Sequence, residues 1–103
     1  MRKNERGEIP MKDITMFYLD DCGYCHKAHR AMEELFESDP RYKEISIRKI
    51  EESREPALAD QYDYWSVPTF FVGDEKVFEA HIGMSYEDIY DKVKEVLDAA
   101  VEG

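Results

Sequence analysis

The chain has 103 residues and a formal net charge of −10, and this length predicts one domain with a single core. So large an excess of negative charge disfavours contact with nucleic-acid phosphates and with anionic membrane surfaces. No apolar stretch approaches the roughly 18 residues that a membrane-spanning helix needs, so we expect neither nucleic acid nor membrane among its partners.

The first residues are polar and basic, and no apolar segment follows them. They do not resemble a secretory signal, and we expect residues 1–11 to form a flexible tail before a domain at 12–103. Without an export signal, we expect a cytoplasmic location, and nothing in the chain indicates more than a monomer. In the cytoplasm a pair of cysteines is more often catalytic or metal-binding than a structural disulfide.

The first half of the domain begins with an apolar run over residues 14–19, which predicts a buried strand. From Tyr24 onward, apolar residues recur at helical spacing, which predicts a helix that ends before Pro40. Alternation of apolar and polar residues over 44–50 then predicts a second strand.

The second half contains two helices and two further strands by the same criteria. Ser53 is expected to cap a short helix that runs to about Tyr62. Residues 67–72 and 76–82 predict two strands joined by a tight turn. Ser85 begins a capping box for a last amphipathic helix.

The predicted order of elements is therefore β-α-β-α-β-β-α. A right-handed strand–helix–strand crossover makes the first two strands parallel, whereas the last two strands form an antiparallel hairpin. We predict an α/β fold in which a four-stranded mixed sheet is flanked by three helices.

Both cysteines lie in the segment DDCGYCHKAH, residues 20–29. A Cys-x-x-Cys pair beside a strand–helix–strand pattern is typical of a redox dithiol. Cys22 falls where the strand gives way to the helix, and there free N–H groups and the helix dipole favour a thiolate. Cys25 lies one turn further along. We expect it to be more buried and protonated, which suits a thiol that resolves a mixed disulfide.

Two metal-based interpretations of the same segment remain open. Cys22, Cys25 and His26 have the spacing of a c-type haem attachment site, although no export signal accompanies them. The two cysteines, His26 and His29 also fall on one helix face and offer ligands for zinc. A structural zinc site usually takes two ligands from a second segment, so we favour a redox dithiol with no cofactor and no metal.

The segment FYLDDCGYCHKA at residues 17–28, followed by SVPTFFV at 66–72, resembles the thioredoxin-like superfamily. The resemblance covers residues 13 to about 100, and the order of elements is similar to the compact glutaredoxin form of the thioredoxin-like fold. It implies a thiol–disulfide oxidoreductase in which Cys22 attacks a substrate disulfide and Cys25 resolves the product.

The resemblance also implies how a substrate is bound. Pro68 is expected to follow a cis peptide bond beside the cysteines, and Val67 to offer its backbone to a substrate chain. The other residues expected to contact substrate are Gly23, Tyr24, Trp65 and Gly83. For Trp65 and its neighbour Tyr64, packing beneath the loop is an equal alternative to an exposed apolar surface.

Two acidic residues distinguish the motif from a glutathione-binding site. Many glutaredoxins carry a basic residue shortly before the first cysteine, whereas this chain has Asp20 and Asp21, which repel anionic glutathione. Their charge also disfavours the thiolate of Cys22. We expect Asp21, His26 and His29 to tune the protonation of the thiols.

The sequence also lacks a buried carboxylate that many thioredoxins carry shortly before the first cysteine. Many thioredoxins carry a buried aspartate six residues before the first cysteine, and Met16 stands there in this chain. The charges of Asp20 and Asp21 beside Cys22 should keep the pair from being strongly oxidising. We therefore expect a reductant of protein disulfides, recycled by a disulfide reductase or by glutathione. A glutathione-dependent glutaredoxin and a non-catalytic module that binds metal through its Cys/His cluster are the alternatives.

Overall fold

The computed structural model describes residues 11–103. Within this range the chain forms, in order, β1 (Ile14–Tyr18), α1 (Gly23–Ser38), β2 (Ile47–Glu51), α2 (Pro56–Ala59), β3 (Thr69–Val72), β4 (Glu75–Glu79) and α3 (Tyr86–Glu102). A short 3-10 helix, Pro40–Glu44, connects α1 to β2. The tail predicted over residues 1–11 lies outside the described residues except for Met11, whose partly buried side chain packs against the core.

The four strands form one mixed sheet in the order β2-β1-β3-β4. β1 pairs parallel with β2, which sets Ile14 opposite Ile47, and antiparallel with β3, which sets Ile14 opposite Val72. β3 and β4 form an antiparallel hairpin whose turn uses Gly73 at a φ of 59°, a conformation that favours glycine. The predicted α/β fold, a four-stranded mixed sheet with three helices, is confirmed.

Both faces of the sheet are covered, so side chains of the central strand β1 are buried on both sides. On one face, α1 and α3 pack on the sheet through an apolar cluster that includes Met16, Met32, Phe70, Ile89 and Leu97. On the other face, a smaller cluster contains Phe17, Ile50 and Phe71, covered by Leu58, Tyr62 and Tyr64. Successive residues of a strand point to opposite faces, so Met16 and Phe17 enter different clusters. Full burial of one such side chain stabilises the fold by roughly 1.5–3 kcal/mol.

The helix boundaries follow local side-chain chemistry. α1 ends before Pro40 as predicted, and Asp39 accepts the N–H of Arg41 at 3.0 Å to begin the 3-10 helix. At the start of α3, Ser85 and Asp88 exchange two hydrogen bonds of 3.0 Å each, so the predicted capping box is confirmed. None of the helices within residues 11–103 is long and apolar enough to cross a membrane.

The helix predicted from Ser53 to Tyr62 is wrong in extent, because α2 covers only Pro56–Ala59 and no side chain caps it. Ser53 instead donates through its backbone N–H and its hydroxyl to Oε1 of Glu51, at 2.7 and 2.5 Å. Ser53 thus closes a turn after β2. The helix begins only at Pro56, whose fixed φ suits a first helical position.

Three strands also have a limit that lies two or three residues from the predicted one. The strand expected over 44–50 begins at Ile47, because the 3-10 helix continues to Glu44. β3 begins at Thr69 and not at residue 67, since Pro68 has no N–H to give to a neighbouring strand. β4 ends at Glu79, which leaves a loop before α3.

Candidate active site

Cys22 lies where β1 gives way to α1. It is the N-cap residue of α1, and its sulfur accepts a hydrogen bond from the backbone N–H of Cys25 at 3.1 Å. An N–H group of the first helical turn therefore points at the sulfur, where it stabilises negative charge. The thiol of Cys22 also donates to the carbonyl oxygen of Val67 at 3.7 Å. Cys22 is only partly buried, so a substrate can reach it.

Cys25 is completely buried one helical turn after Cys22. Burial raises the pKa of the Cys25 thiol, and its hydrogen bond with the Cys22 side chain raises that pKa further. The negative charge of Glu52 acts in the same direction. These causes favour the protonated form of Cys25, and the two cysteines differ in exposure as the sequence predicts.

The loop before β3 brings another segment to the cysteines. The peptide bond between Val67 and Pro68 is cis, as the resemblance implied. Glu79 of β4 holds the residues before it, since its Oε2 accepts the N–H of Trp65 at 2.5 Å and that of Ser66 at 2.7 Å. This anchoring fixes the loop whose Val67 carbonyl faces Cys22.

Tyr64 and Trp65, whose roles the sequence left open, have opposite environments. Tyr64 stacks on Phe17 with ring centroids 4.8 Å apart, and its hydroxyl donates to Oε1 of Glu52 at 2.6 Å. The side chain of Trp65 is 93% exposed. Tyr64 thus packs beneath the loop, whereas Trp65 presents an apolar surface to solvent.

Tyr24, at the start of α1, lies against Gly83 on the loop before α3. The N–H of Gly83 donates to the Tyr24 hydroxyl at 2.8 Å, and Gly83 has a φ of 97° that favours glycine. Lys27 places its ammonium 5.2 Å from the Tyr24 ring centroid. Ile82, the neighbour of Gly83, is 91% exposed, and Gly23 has open space where a Cβ would stand. Tyr24, Gly83 and the exposed Ile82 therefore form a second edge of the site.

Asp20 and Asp21 occupy the turn that precedes Cys22, and both are exposed. Asp20 forms an ion pair with Arg54, and its carbonyl oxygen lies 2.6 Å from Nε2 of His26. The carboxylate of Asp21 has no hydrogen-bond or ion-pair partner among residues 11–103. Asp21 therefore leaves an uncompensated negative charge one residue from the reactive sulfur.

His26 and His29, predicted to tune the thiols, point to other partners, and in the described part of the chain neither bonds a cysteine sulfur. His26 contacts the Asp20 carbonyl, and His29 packs edge-on against Tyr18 with centroids 5.0 Å apart. Burial lowers the pKa of His29, and the charge of Lys49 lowers it further. An effect of these histidines on the thiols stays a prediction with no direct contact behind it.

Glu52 is the residue that sequence reasoning missed. It directly follows β2, is partly buried, and donates its N–H to the carbonyl of Tyr18 at 3.0 Å. Parallel strands end at the same edge of a sheet, so a residue after β2 lies beside the turn that follows β1. Its carboxylate adds to burial in raising the pKa of Cys25 and that of Tyr64. The signal that could have revealed it is an acidic residue one position after a parallel strand.

The cysteines and histidines of the motif do not assemble a metal site in the residues that the structure describes. Among residues 11–103, no group of three or more histidine, cysteine or acidic side chains is arranged to hold a metal ion. Cys25 is enclosed in the core, and the histidines are turned to Asp20 and Tyr18. The zinc interpretation therefore has no ligand geometry in this part of the chain.

A comparison with known families agrees with the position of the cysteines. The family model for glutaredoxin matches residues 14–77, more than half of the chain, and the match contains both cysteines and the loop before β3. No curated protein matches the sequence.

Several solved structures similar to this chain are thioredoxins. A mutant thioredoxin from Halobacterium salinarum is 26% identical with a TM-score of 0.54, and the match covers 85% of this chain and 76% of that one. Mitochondrial thioredoxin 3 from Saccharomyces cerevisiae is 22% identical with a TM-score of 0.56, covering 84% and 79% respectively. Thioredoxin 1 from Thermosipho africanus is 17% identical with a TM-score of 0.54, covering 84% and 94%. The fold is thus thioredoxin-like.

Proposed function

The chain belongs to the glutaredoxin family, and we propose that it is a thiol–disulfide oxidoreductase that reduces disulfides in protein substrates. The observation that carries the proposal is the asymmetry of the two thiols. Cys22 is partly exposed at the N-terminus of α1, and Cys25 is fully buried one turn later. One thiol can meet a substrate, and the other can react only with its neighbour.

The proposed reaction has two steps. The thiolate of Cys22 attacks one sulfur of the substrate disulfide, and the other substrate sulfur leaves and takes up a proton. Cys25 then gives up its proton and attacks the Cys22 sulfur of the mixed disulfide, which frees the second substrate sulfur as a thiol. Two electrons pass to the substrate, and Cys22 and Cys25 end as a disulfide.

The substrate chain is proposed to pair with the backbone of Val67. The carbonyl of Val67 lies 3.7 Å from the Cys22 sulfur, so an extended segment beside Val67 brings its own sulfur within reach of Cys22. Pro68 has no N–H, so it leaves this end of β3 open to a substrate. The remaining residues proposed to contact substrate are Gly23, Tyr24, Trp65 and Gly83.

We propose that the protein acts as a reductant. Strongly oxidising dithiol proteins depend on a highly stabilised thiolate in their reduced form. Here Asp21 places negative charge beside Cys22, whereas the charge of Asp20 is paired with Arg54. Burial keeps the pKa of Cys25 raised. Neither effect stabilises a thiolate, so the reduced form of the protein gains no extra stability from one. The resulting disulfide then needs a donor, either a disulfide reductase or glutathione.

Glutathione-dependent catalysis is the second candidate, since the matching family model is that of glutaredoxin. Asp20 and Asp21 argue against it, because they repel an anionic tripeptide. An assay with hydroxyethyl disulfide and glutathione separates the two candidates. A Cys25→Ser variant that keeps full activity in that assay would support the glutathione route, since one cysteine then suffices.

Insulin reduction tests the leading proposal directly. With dithiothreitol as donor, the wild-type protein is expected to accelerate precipitation of the insulin B chain. Cys22→Ser is expected to abolish the acceleration. Cys25→Ser, reduced beforehand and freed of dithiothreitol, is expected to stop at a mixed disulfide with insulin that mass spectrometry detects on Cys22. A wild-type rate equal to that of dithiothreitol alone would refute the proposal.

A further inference from the structure

A cleft of about 340 Å³ lies between α2 and the loop before β3. We call it the Trp65 cleft, and the residues that matter here are Glu52, Pro56, Asp60, Tyr62, Tyr64 and Trp65. Trp65 is two residues from Val67, whose carbonyl faces Cys22. Two residues span at most about 7 Å, so Trp65 lies near the site where a substrate cysteine meets Cys22. A substrate side chain close to that cysteine can therefore reach this cleft.

The indole of Trp65 forms the apolar wall of the cleft, and the fold keeps it exposed. The indole of Trp65 is 93% exposed, and its backbone N–H is fixed by Glu79 at 2.5 Å. Lys76 in turn bonds Glu79 at 2.8 Å. Trp65 is thus exposed on a loop whose backbone is held in place by hydrogen bonds. A cation can stack on an aromatic face that is held in this way.

Two carboxylates of the cleft, those of Glu52 and Asp60, have no ion-pair partner among residues 11–103. Glu52 accepts a hydrogen bond from Tyr64, and Asp60 lies at the C-terminus of α2. Three cations lie nearby: Arg54 pairs with Asp20, Lys76 pairs with Glu79, and Arg48 donates to the hydroxyl of Tyr62 at 3.1 Å. Within residues 11–103, no lysine or arginine forms an ion pair with Glu52 or Asp60.

We propose that the Trp65 cleft binds an arginine or lysine side chain of the substrate polypeptide, close to the disulfide that Cys22 attacks. The planar cation stacks on the indole of Trp65, and its charge is met by Asp60 and Glu52. This inference rests on the proposed function and names its substrate class, a basic segment beside the reactive cysteine. The same carboxylates turn away an acidic segment.

Three disulfide peptides test the inference. The peptides are identical except at two positions, which lie two residues before and two residues after one cysteine. Both positions carry arginine in the first peptide, citrulline in the second and glutamate in the third. Citrulline keeps the shape of arginine without its charge. At low ionic strength the reduced wild-type protein is expected to reduce the arginine peptide about fivefold faster than the citrulline peptide. The glutamate peptide is expected to be slowest, and added salt should narrow the differences.

A pair of charge-matched variants assigns the effect to the cleft. Asp60→Asn is expected to lower the arginine-to-citrulline rate ratio at least about twofold. Asp91→Asn removes the same charge from the exposed surface of α3, on the other face of the sheet, and should keep the wild-type ratio. Trp65→Ala should lower the ratio as well, because the stacking surface is gone.

The peptide rates separate a failure of this inference from a failure of the proposed function. Equal rates for the arginine and citrulline peptides in the wild-type protein would overturn the inference and leave the proposed function standing. A ratio that Asp60→Asn and Asp91→Asn lower equally would also overturn it, since net charge alone would then explain the preference. If none of the three peptides is reduced, citrulline included, the proposed function fails and this inference fails with it.

Discussion

The sulfur of Cys22 lies 3.7 Å from the carbonyl oxygen of Val67, a residue 45 positions further along the chain. This contact joins the N-terminus of α1 to the loop before β3. The buried Cys25 lies behind it. This arrangement is why we propose that Cys22 attacks the substrate disulfide and that the backbone of Val67 aligns the substrate.

Selective alkylation is the first consequence of this arrangement. In the native protein near neutral pH, iodoacetamide is expected to modify Cys22 and to leave Cys25 free, since Cys25 is buried and its pKa is raised. Peptide mapping by mass spectrometry identifies the modified residue. In urea both cysteines should react, which controls for reagent and digestion. Modification of Cys25 ahead of Cys22 in the native protein would contradict the assigned roles.

Glu52 should control the protonation of the buried thiol. Burial is the main cause of the raised pKa of Cys25, and the charge of Glu52 adds to it. In a Cys22→Ser background, Glu52→Gln is expected to move the titration of Cys25 to lower pH, because a negative charge near the thiolate is removed. Thiolate absorbance near the ultraviolet edge follows the titration.

Asp91→Asn in the same background provides the control for this titration. It removes one negative charge from an exposed position of α3, so the pKa of Cys25 should stay where it is. If Glu52→Gln shifts the titration no more than Asp91→Asn does, Glu52 has no specific effect on the thiol.

The central elements could be predicted from sequence because each depends on local chemistry. The apolar run before the motif forms β1, and Cys22 is the N-cap that its position at the strand–helix junction indicated. Ser85 caps α3 because its partner Asp88 is only three residues away. The helix expected from Ser53 failed because Glu51, on the same strand end, takes the hydroxyl of Ser53.

The site itself was only partly predictable, because its geometry depends on distant residues. Tyr64 and Trp65 are adjacent aromatic residues, and the sequence around them does not indicate which side chain is buried. Phe17 holds one inward, and Glu79 holds the backbone of the other at the surface. The role of Glu52 depends on how the ends of β1 and β2 align, and no local motif encodes that alignment.

His29 is expected to make the fold less stable in mild acid. Burial lowers the pKa of His29 below its ordinary value of 6.5, so the unfolded chain takes up a proton at a higher pH than the folded chain does. The contribution of neutral His29 to the free energy of unfolding is fully present above about pH 6.5. It is lost as the pH falls toward the pKa of His29 in the folded protein. Urea unfolding at about pH 7 and about pH 5 should show a smaller loss in His29→Gln than in the wild-type protein.

The exposed His81 supplies the matched control for this pH dependence. His81→Gln should lose as much stability between the two pH values as the wild-type protein loses. Identical losses in His29→Gln and the wild-type protein would show that His29 is not the group responsible.

Tyr42 should stabilise the packing of the 3-10 helix against α3. Its side chain is buried, and its hydroxyl donates to Oδ1 of Asp98 at 2.5 Å. Lys94 also bonds Asp98, at 2.8 Å. Tyr42→Phe removes one hydrogen bond to a partly exposed carboxylate, so the free energy of unfolding should fall by about 1 kcal/mol. Urea denaturation measures the change. Tyr90→Phe, at a half-buried residue of α3, should change it by less than about half as much.

The redox potential of the pair Cys22–Cys25 distinguishes a reductant from an oxidant. The protein is equilibrated with mixtures of reduced and oxidised glutathione, and the fraction with an intramolecular disulfide is measured by alkylation and mass spectrometry. We predict a single disulfide between Cys22 and Cys25 with a potential nearer to about −270 mV than to about −120 mV. A potential near −120 mV would contradict the assignment as a reductant, and failure to form that disulfide would contradict the dithiol mechanism.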